Sequence, residues 1–553
     1  MRLALIGLDG ATWDLILPWA EQGHLPTLTG LRRAGAGGPL ASTVPPVSFP
    51  AWSTLLTGLN PGKHGIYDFT QRLPGTYRIA FLNATHRRAP TLWRLASQAG
   101  RRVAALGFPA TYPPEPVNGL LVSGFDSPVT TGVDRSCVYP PAQYAEIAPY
   151  PLGGIQEVRI DAGWHERALH QILLGMERRT AVALRLLQQE NWDLFALHYG
   201  ESDTAAHHFW ALFDAHSPRH DPARAAQLGG ALLQVYRALD AALGRLLAAL
   251  PPETAVVVAS DHGAGGAGDW VVHLNRWLAQ QGWLCFQEGP RRPLAAGLRH
   301  LGLRLPERLQ EWAFRGPLHG LVDRVESGNR LGGIAWEHTA AFSEEVNTLP
   351  GVWLNVQGRE PAGVVPPGAY ERQRDELVAA LEGWRHPETG APLLQRAWRR
   401  EALYDGPWVH LAPDIVLEPA LDRGYSVTFL SSGGRAGPAA RRLAPQERLG
   451  AKGGSMNGSH RPEGIVLLAG PGVRQGAQLE GAALADIAPT ALAVLGLPLP
   501  AGLDGRVLHE AFQLGFLHTA EPAAAVPPLP PAVPYTPEEE AAVAERLRGL
   551  GYR

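Results

Sequence analysis

The sequence predicts an α/β fold with a mainly parallel central sheet between helices, and three observations predict it. Leu3 to Leu8, Asp193 to Tyr199 and Ala255 to Ala259 are largely apolar runs without alternation, the pattern of strands buried on both faces. Long helical stretches, His165 to Glu190 and Ala225 to Leu250, alternate with the later runs, and such alternation favours parallel pairing. Each run is closed by an acid: Asp9-Gly10 after the first, Gly200-Glu201-Ser202-Asp203 after the second, Ser260-Asp261-His262-Gly263 after the third. Open α/β sheets bind ligands beyond the carboxyl ends of their strands. Three strands would therefore deliver carboxylates to one edge.

The remaining elements follow in order. Trp13 to Ala20 reads as a helix, and Pro45-Pro46 stiffens the approach to a helix that begins near Ser48. Thr91 to Ala99 is helical and Arg102 to Gly107 is a further strand, whereas residues 109 to 160, rich in Pro and Gly, read as irregular and substrate-facing. Residues 286 to 350 change character, with Arg-rich amphipathic stretches such as Leu301 to Ala313, and are expected to form an inserted cap or lid. The core pattern resumes at Gly351 to Asn355 and Pro413 to Leu417, and Gly464 to Ala469 is a strand. Ala520 to Pro534 is a proline-rich linker, and Pro537 to Leu550 a terminal helix. The expected organisation is a core of 1–285 and 351–515, interrupted by 286–350 and followed by a tail of 516–553.

Composition narrows the function. A chain of 553 residues with 45% hydrophobic and 18% charged residues is globular and larger than a usual single core. Its net charge of −3 gives no bulk drive toward nucleic acid or anionic membrane. Cys137 and Cys285 form no metal-type spacing and are expected to be inert or buried thiols. The N-terminal apolar run is too short for a signal peptide and no stretch has the length of a membrane span, so a cytoplasmic protein is expected.

The chemistry lies in separate segments. Ser48 opens a helix, whose start suits an oxyanion, although a serine there can also be a simple N-cap. Asp203 and His207, at i and i+4, face one side of a helical turn and can bind one cation. Asp261 and His262 end a strand, His460 sits in a Gly-rich turn before another, and Asp9 completes a set of seven with Ser48. Seven ligands exceed one tetrahedral zinc and suit two divalent ions sharing an oxyanion, Zn²⁺ best and Mn²⁺ next. His64 is expected to fix the turn at Gly65, His208 to point off the ligand face, and Asp414 and Asp486 to be structural.

These motifs resemble the alkaline phosphatase superfamily, in its branch of type I phosphodiesterases and nucleotide pyrophosphatases. The matching residues are Gly7-Leu8-Asp9-Gly10, Ser48-Phe49-Pro50, Leu56-Thr57-Gly58 with Pro61 and His64-Gly65-Ile66, Asp203 with His207, Ser260-Asp261-His262-Gly263, and His460-Arg461-Pro462. The resemblance implies one metal on Asp9, Ser48, Asp261 and His262 and another on Asp203, His207 and His460, with Ser48 as the nucleophile. It implies a two-metal hydrolase of phosphodiester or pyrophosphate bonds, acting on small nucleotide-type substrates, not nucleic-acid polymers, through a phosphoseryl intermediate. The alternatives are a phosphomonoesterase or phosphomutase of the same superfamily, or a non-catalytic metal-dependent binding protein. One departure is the missing Asn some twenty residues beyond the nucleophile, for which Gln71, Arg72 or Asn83 are the candidate substitutes, with Arg87 and Arg88 nearby. Another is Trp52, expected at the pocket mouth.

Overall fold

The computed structural model describes the chain apart from residues 129–132, 149, 153–154, 156–160, 162, 288–329, 445–446, 449–455, 518–531 and 550–553. The strand Arg2–Leu8 lies inside a ten-stranded sheet, parallel to Leu194–Tyr199 on one side and Thr254–Ala259 on the other. Val103–Leu106 and Gly119–Val122 extend the parallel part. On the opposite flank Glu463–Ala469 runs antiparallel between Thr254–Ala259 and Ala36–Ala41.

Helices cover both faces. Ala4, Ile6 and Leu8 pack into one apolar cluster with Met176, Phe209 and Leu239 of the helices Trp164–Gln189, Glu201–Phe213 and Ala231–Ala249. Leu3 and Leu5 point the other way, into a cluster with Leu55, Trp93 and Leu492 of the helices Ser48–Thr57, Leu92–Gln98 and Ile487–Val494. A strand sandwiched this way has no polar face, which is why the sequence shows an unbroken apolar run. Each fully buried Leu or Ile contributes about 1.5–3 kcal/mol relative to exposure.

Register sets the edge. Gly7 stands opposite both His198 and Ala259, so Asp9, Asp203 and Asp261 all emerge at the same end of three adjacent strands. His460 reaches this edge by a different route. Its strand, Gly458–Arg461, pairs antiparallel with Gly263–Val272, with His460 opposite Ala264. The next strand then runs antiparallel to Thr254–Ala259, so it starts where the parallel strands end.

Several expectations change. Ala225 to Leu250 is two helices, Pro222–Leu228 and Ala231–Ala249, broken at Gly229-Gly230, where no side chain favours the helix. The irregular region contains the strands Gly119–Val122 and Val138–Tyr139, too short to show a period. Gly351–Leu354 and Ile415–Pro419 belong to a separate antiparallel sheet of four strands over its own apolar cluster. The Gly-rich strand Gly263–Val272 has no apolar signature in its first half and escapes a periodicity reading. Cys137 is buried, but Cys285 is exposed. The expected insertion, including Leu301 to Ala313, and most of the linker Ala520 to Pro534 lie outside the described residues. Among the described residues no helix is long and apolar enough to cross a membrane.

The terminal helix Pro537–Gly549 packs on its own chain. Val543 and Ala544 join the first apolar cluster, as does Tyr535, whose hydroxyl donates to Asp126 O at 2.9 Å. Asp126 is buried here, and burial raises its carboxyl to about 6 despite the Tyr112 N–H and the Arg546 guanidinium. A carboxyl raised above its ordinary 3.8 contributes stability that is full below that value and is lost as the pH rises through about 6. Asp126→Asn keeps the acceptor and cannot ionise. It is expected to raise the thermal midpoint at pH 8 and leave it nearly unchanged at pH 4; equal shifts at both would refute this account.

Candidate active site

Asp9 leaves the central strand with its N–H donating to Tyr199 O at 2.9 Å. Gly10 turns the chain at φ +64°, a conformation that favours glycine, and a Cβ there would lie 3.0 Å from the Asp203 side chain. Its N–H donates to Asp261 Oδ1 at 3.3 Å, so the first strand end holds the third. The hydroxyls of Ser202 and Ser42 donate to the carbonyls of Asp9 and Asp261, each at 2.6 Å.

Ser48 is the first residue of its helix, but Val47 holds the N-cap position without a side-chain capping bond, so the serine hydroxyl is not the cap. Ser48 is fully buried, with Oγ 3.4 Å from His262 Nε2. That nitrogen also lies 3.5 Å from Asp9 Oδ1 and 3.3 Å from Asp261 Oδ2. Asp203 Oδ1 lies 3.3 Å from His207 Nε2 and 3.5 Å from His460 Nε2, and those two nitrogens are 3.0 Å apart. The His262 and His460 rings stack at 3.7 Å. The structure thus brings all seven sequence-predicted residues into one buried cluster. Two groupings within it place ligand atoms close enough to hold a cation: Asp9, Asp261 and His262, and Asp203, His262 and His460.

The imidazoles are oriented by the backbone. Nδ1 of His207, His262 and His460 faces the carbonyls of Gly458, Gly263 and Pro46 at 3.1, 2.9 and 2.7 Å. A carbonyl only accepts, so each Nδ1 carries the proton and each Nε2 turns a lone pair into the cluster. Burial and the neighbouring His262 hold His460 well below the ordinary histidine range. Burial and the like charges of Asp9 and Asp203 push Asp261 well up. Asp9 Oδ1 and Asp261 Oδ2 accept no hydrogen bond among the described residues.

Supporting residues depart from the sequence reading. Trp52 is not at a pocket mouth: it is fully buried, and its Nε1–H donates to Asp9 Oδ2 at 3.1 Å. His198 Nε2 meets the same oxygen at 3.0 Å. His198 belongs to no motif in the sequence, and its one signal is a histidine within a buried apolar strand. Gly7 makes room for the indole, since a Cβ there would lie 2.6 Å from Trp52 Cη2. His64 stays outside the cluster, accepting from the Ile66 N–H and bonded to the Thr54 hydroxyl. His208, expected off the ligand face, lines a cleft with Asp9, Asp203 and His207. None of the suggested substitutes for the missing Asn is seen joining the cluster. Asn83 caps a short turn and donates to Val533 O, Arg72 pairs with Glu360 at 3.0 Å, and Gln71 and Arg72 line a different cavity. Arg87 donates to Ala110 O and Arg88 lies over Trp408. Asp414 binds Arg359 and Asp486 accepts backbone N–H groups, both structural as expected.

No curated protein matches the sequence. Among solved structures, phosphonoacetate hydrolase from Sinorhizobium meliloti in complex with phosphonoformate is 15% identical, with a TM-score of 0.51 over 90% of this chain and 96% of that one. Murine ectonucleotide pyrophosphatase/phosphodiesterase 5 is 13% identical, with a TM-score of 0.48 over 93% and 100% of the two chains. The family model for type I phosphodiesterase/nucleotide pyrophosphatase matches residues 3–441, a span that includes six of the seven clustered residues and ends before His460. The chain belongs to the type I phosphodiesterase/nucleotide pyrophosphatase family, within the alkaline phosphatase superfamily.

Proposed function

We propose that this hydrolase cleaves phosphodiester or pyrophosphate bonds of small, nucleotide-type substrates with two divalent ions and Ser48 as nucleophile. One observation carries the reading: three imidazoles, locked by backbone carbonyls, turn their lone pairs onto buried carboxylates beside the Ser48 hydroxyl. Lone pairs facing one another at 3.0 Å, with like charges buried around them, fit a cation and disfavour its absence. Asp203, His207 and His460 would hold one ion, and Asp9, Ser48, Asp261 and His262 the other. The mixture of oxygen and imidazole nitrogen favours zinc, then manganese.

When bound, the ions supply the positive charge that lowers the Ser48 pKa and screens the phosphoryl oxygens. Ser48 Oγ forms its bond to phosphorus as the bond to the leaving oxygen breaks. Water then cleaves the seryl ester, releasing the phosphorylated product and restoring the hydroxyl. Trp52 and His198 keep Asp9 in place throughout, and the helix start at Ser48 directs backbone N–H groups toward the phosphoryl oxygens. The commitments of Arg72, Arg87 and Arg88 favour a diester, because a doubly charged monoester calls for a further cation.

Three outcomes are expected. Elemental analysis after zinc or manganese reconstitution should give two ions per chain, with Asp261→Asn and His460→Ala each reducing the count; a single ion in the wild type refutes the two-ion assignment. Ser48→Ala should retain metal and lose on the order of 10⁴-fold or more in turnover, while Ser48→Thr keeps part of the rate. Bis-p-nitrophenyl phosphate should exceed p-nitrophenyl phosphate in kcat/KM, and a tenfold advantage for the monoester would replace this reading with a phosphomonoesterase.

A further inference from the structure

The two carboxylate oxygens of Asp9 are treated differently by their surroundings. Oδ2 accepts the Trp52 Nε1–H at 3.1 Å and faces His198 Nε2 at 3.0 Å. A carboxylate oxygen only accepts, so His198 carries its proton on Nε2 and donates it here. An ionised carboxylate has about two lone pairs on each oxygen. Both on Oδ2 are therefore taken, whereas Oδ1 accepts no hydrogen bond among the described residues. Asp261 is divided in the same sense. Its Oδ1 accepts the Gly10 N–H at 3.3 Å, and its Oδ2 accepts nothing among the described residues.

The donor atoms left over have a definite spacing. His262 Nε2 lies 3.4 Å from Ser48 Oγ, 3.5 Å from Asp9 Oδ1 and 3.3 Å from Asp261 Oδ2. A tetrahedral zinc with bonds of about 2.0–2.1 Å separates its donors by about 3.3–3.4 Å. An octahedral ion with bonds of the same length, such as magnesium, brings neighbouring donors to about 2.8–3.0 Å. The three separations match the tetrahedral edge. Ions that take six or more oxygens gain from a carboxylate that chelates through both atoms. Asp9 cannot chelate while both lone pairs of Oδ2 are occupied. The two donors also brace each other. Trp52 is fully buried on the helix that Ser48 opens, and His198 stands opposite Gly7 in the adjacent strand. Their rings meet edge to face at 5.0 Å, which fixes the direction of both N–H groups.

We propose that Trp52 and His198 decide which ion the Ser48 site takes: by occupying Asp9 Oδ2 they limit that carboxylate to one oxygen, hold the site to four protein donors and bias it toward zinc over manganese. The inference rests on the ion assigned above to Asp9, Ser48, Asp261 and His262. Both are positioning residues, since they act on the ion only through Asp9.

The test equilibrates the zinc-loaded enzyme with manganese at buffered free concentrations of both ions, and elemental analysis reads the manganese taken up per chain. Trp52→Phe and His198→Leu each remove one N–H donor and keep an apolar body in the core. His198→Gln retains an amide N–H and is the control. Asp203, His207 and His460, which would hold the other ion, are common to all variants. The free manganese-to-zinc ratio that exchanges half of the site should fall about threefold in each single variant and about tenfold or more in the double variant, the scale on which groups behind a metal ligand affect affinity. His198→Gln should stay close to the wild type. Thermal midpoints establish which variants are folded, and if one single variant is not, the other decides. An unchanged ratio in the folded donor-removing variants, or an equal fall in His198→Gln, overturns the role of the pair. Zinc-dependent hydrolysis of bis-p-nitrophenyl phosphate alongside an unchanged ratio removes this inference alone. A shifted ratio without hydrolysis of that ester removes the hydrolytic reading and leaves the selection standing, whereas a wild type that takes up no ion removes both.

Discussion

Three carboxylates buried within reach of one another are the constraint on which this structure turns. Asp9, Asp203 and Asp261 are each at most 5% exposed, and burial, with the like charges of Asp9 and Asp203 added to it, pushes Asp261 well above its ordinary range. Charges taken out of water require compensation by opposite charge or by dense hydrogen bonding. Asp9 Oδ1 and Asp261 Oδ2 accept no hydrogen bond among the described residues, and the imidazole nitrogens that face the three carboxylates present lone pairs. The proposed cations resolve that imbalance.

Much of the surrounding structure serves to keep the arrangement fixed. Parallel register aligns three strand ends, and Gly10 links the first to the third through its N–H. Trp52 and His198 fix one oxygen of Asp9 and leave the other facing His262. The serine hydroxyls of Ser42 and Ser202 tie down the backbone at Asp261 and Asp9. Carbonyls of Gly458, Gly263 and Pro46 select the tautomer of each imidazole. Ligand orientation is thus set by groups one layer out, as is common where several side chains must converge on one point.

The helix that supplies Asp203 and His207 also carries Glu201, and all three line the cleft beside the cluster.

The sequence by itself determined the sheet, its parallel centre and the acidic edge, because a strand buried on both faces must be apolar throughout and the residue closing it is then conspicuous. The same logic exposed Asp9, Asp203 and Asp261, and the i, i+4 spacing exposed His207. Local chemistry could not show which residues stand behind them. Trp52 looks like a pocket aromatic until the structure places its N–H on Asp9, and His198 is hidden in a strand whose neighbours are apolar. The tertiary structure alone decided that Gly263–Val272 is a strand, that His460 arrives beside Ala264 through antiparallel pairing, and that Arg72, Arg87 and Arg88 are committed elsewhere. The physical reason is range. Burial and backbone periodicity are written in consecutive residues, whereas hydrogen-bond partners 43 to 414 positions apart, as in Trp52 with Asp9 and His460 with Pro46, meet only when the chain has folded.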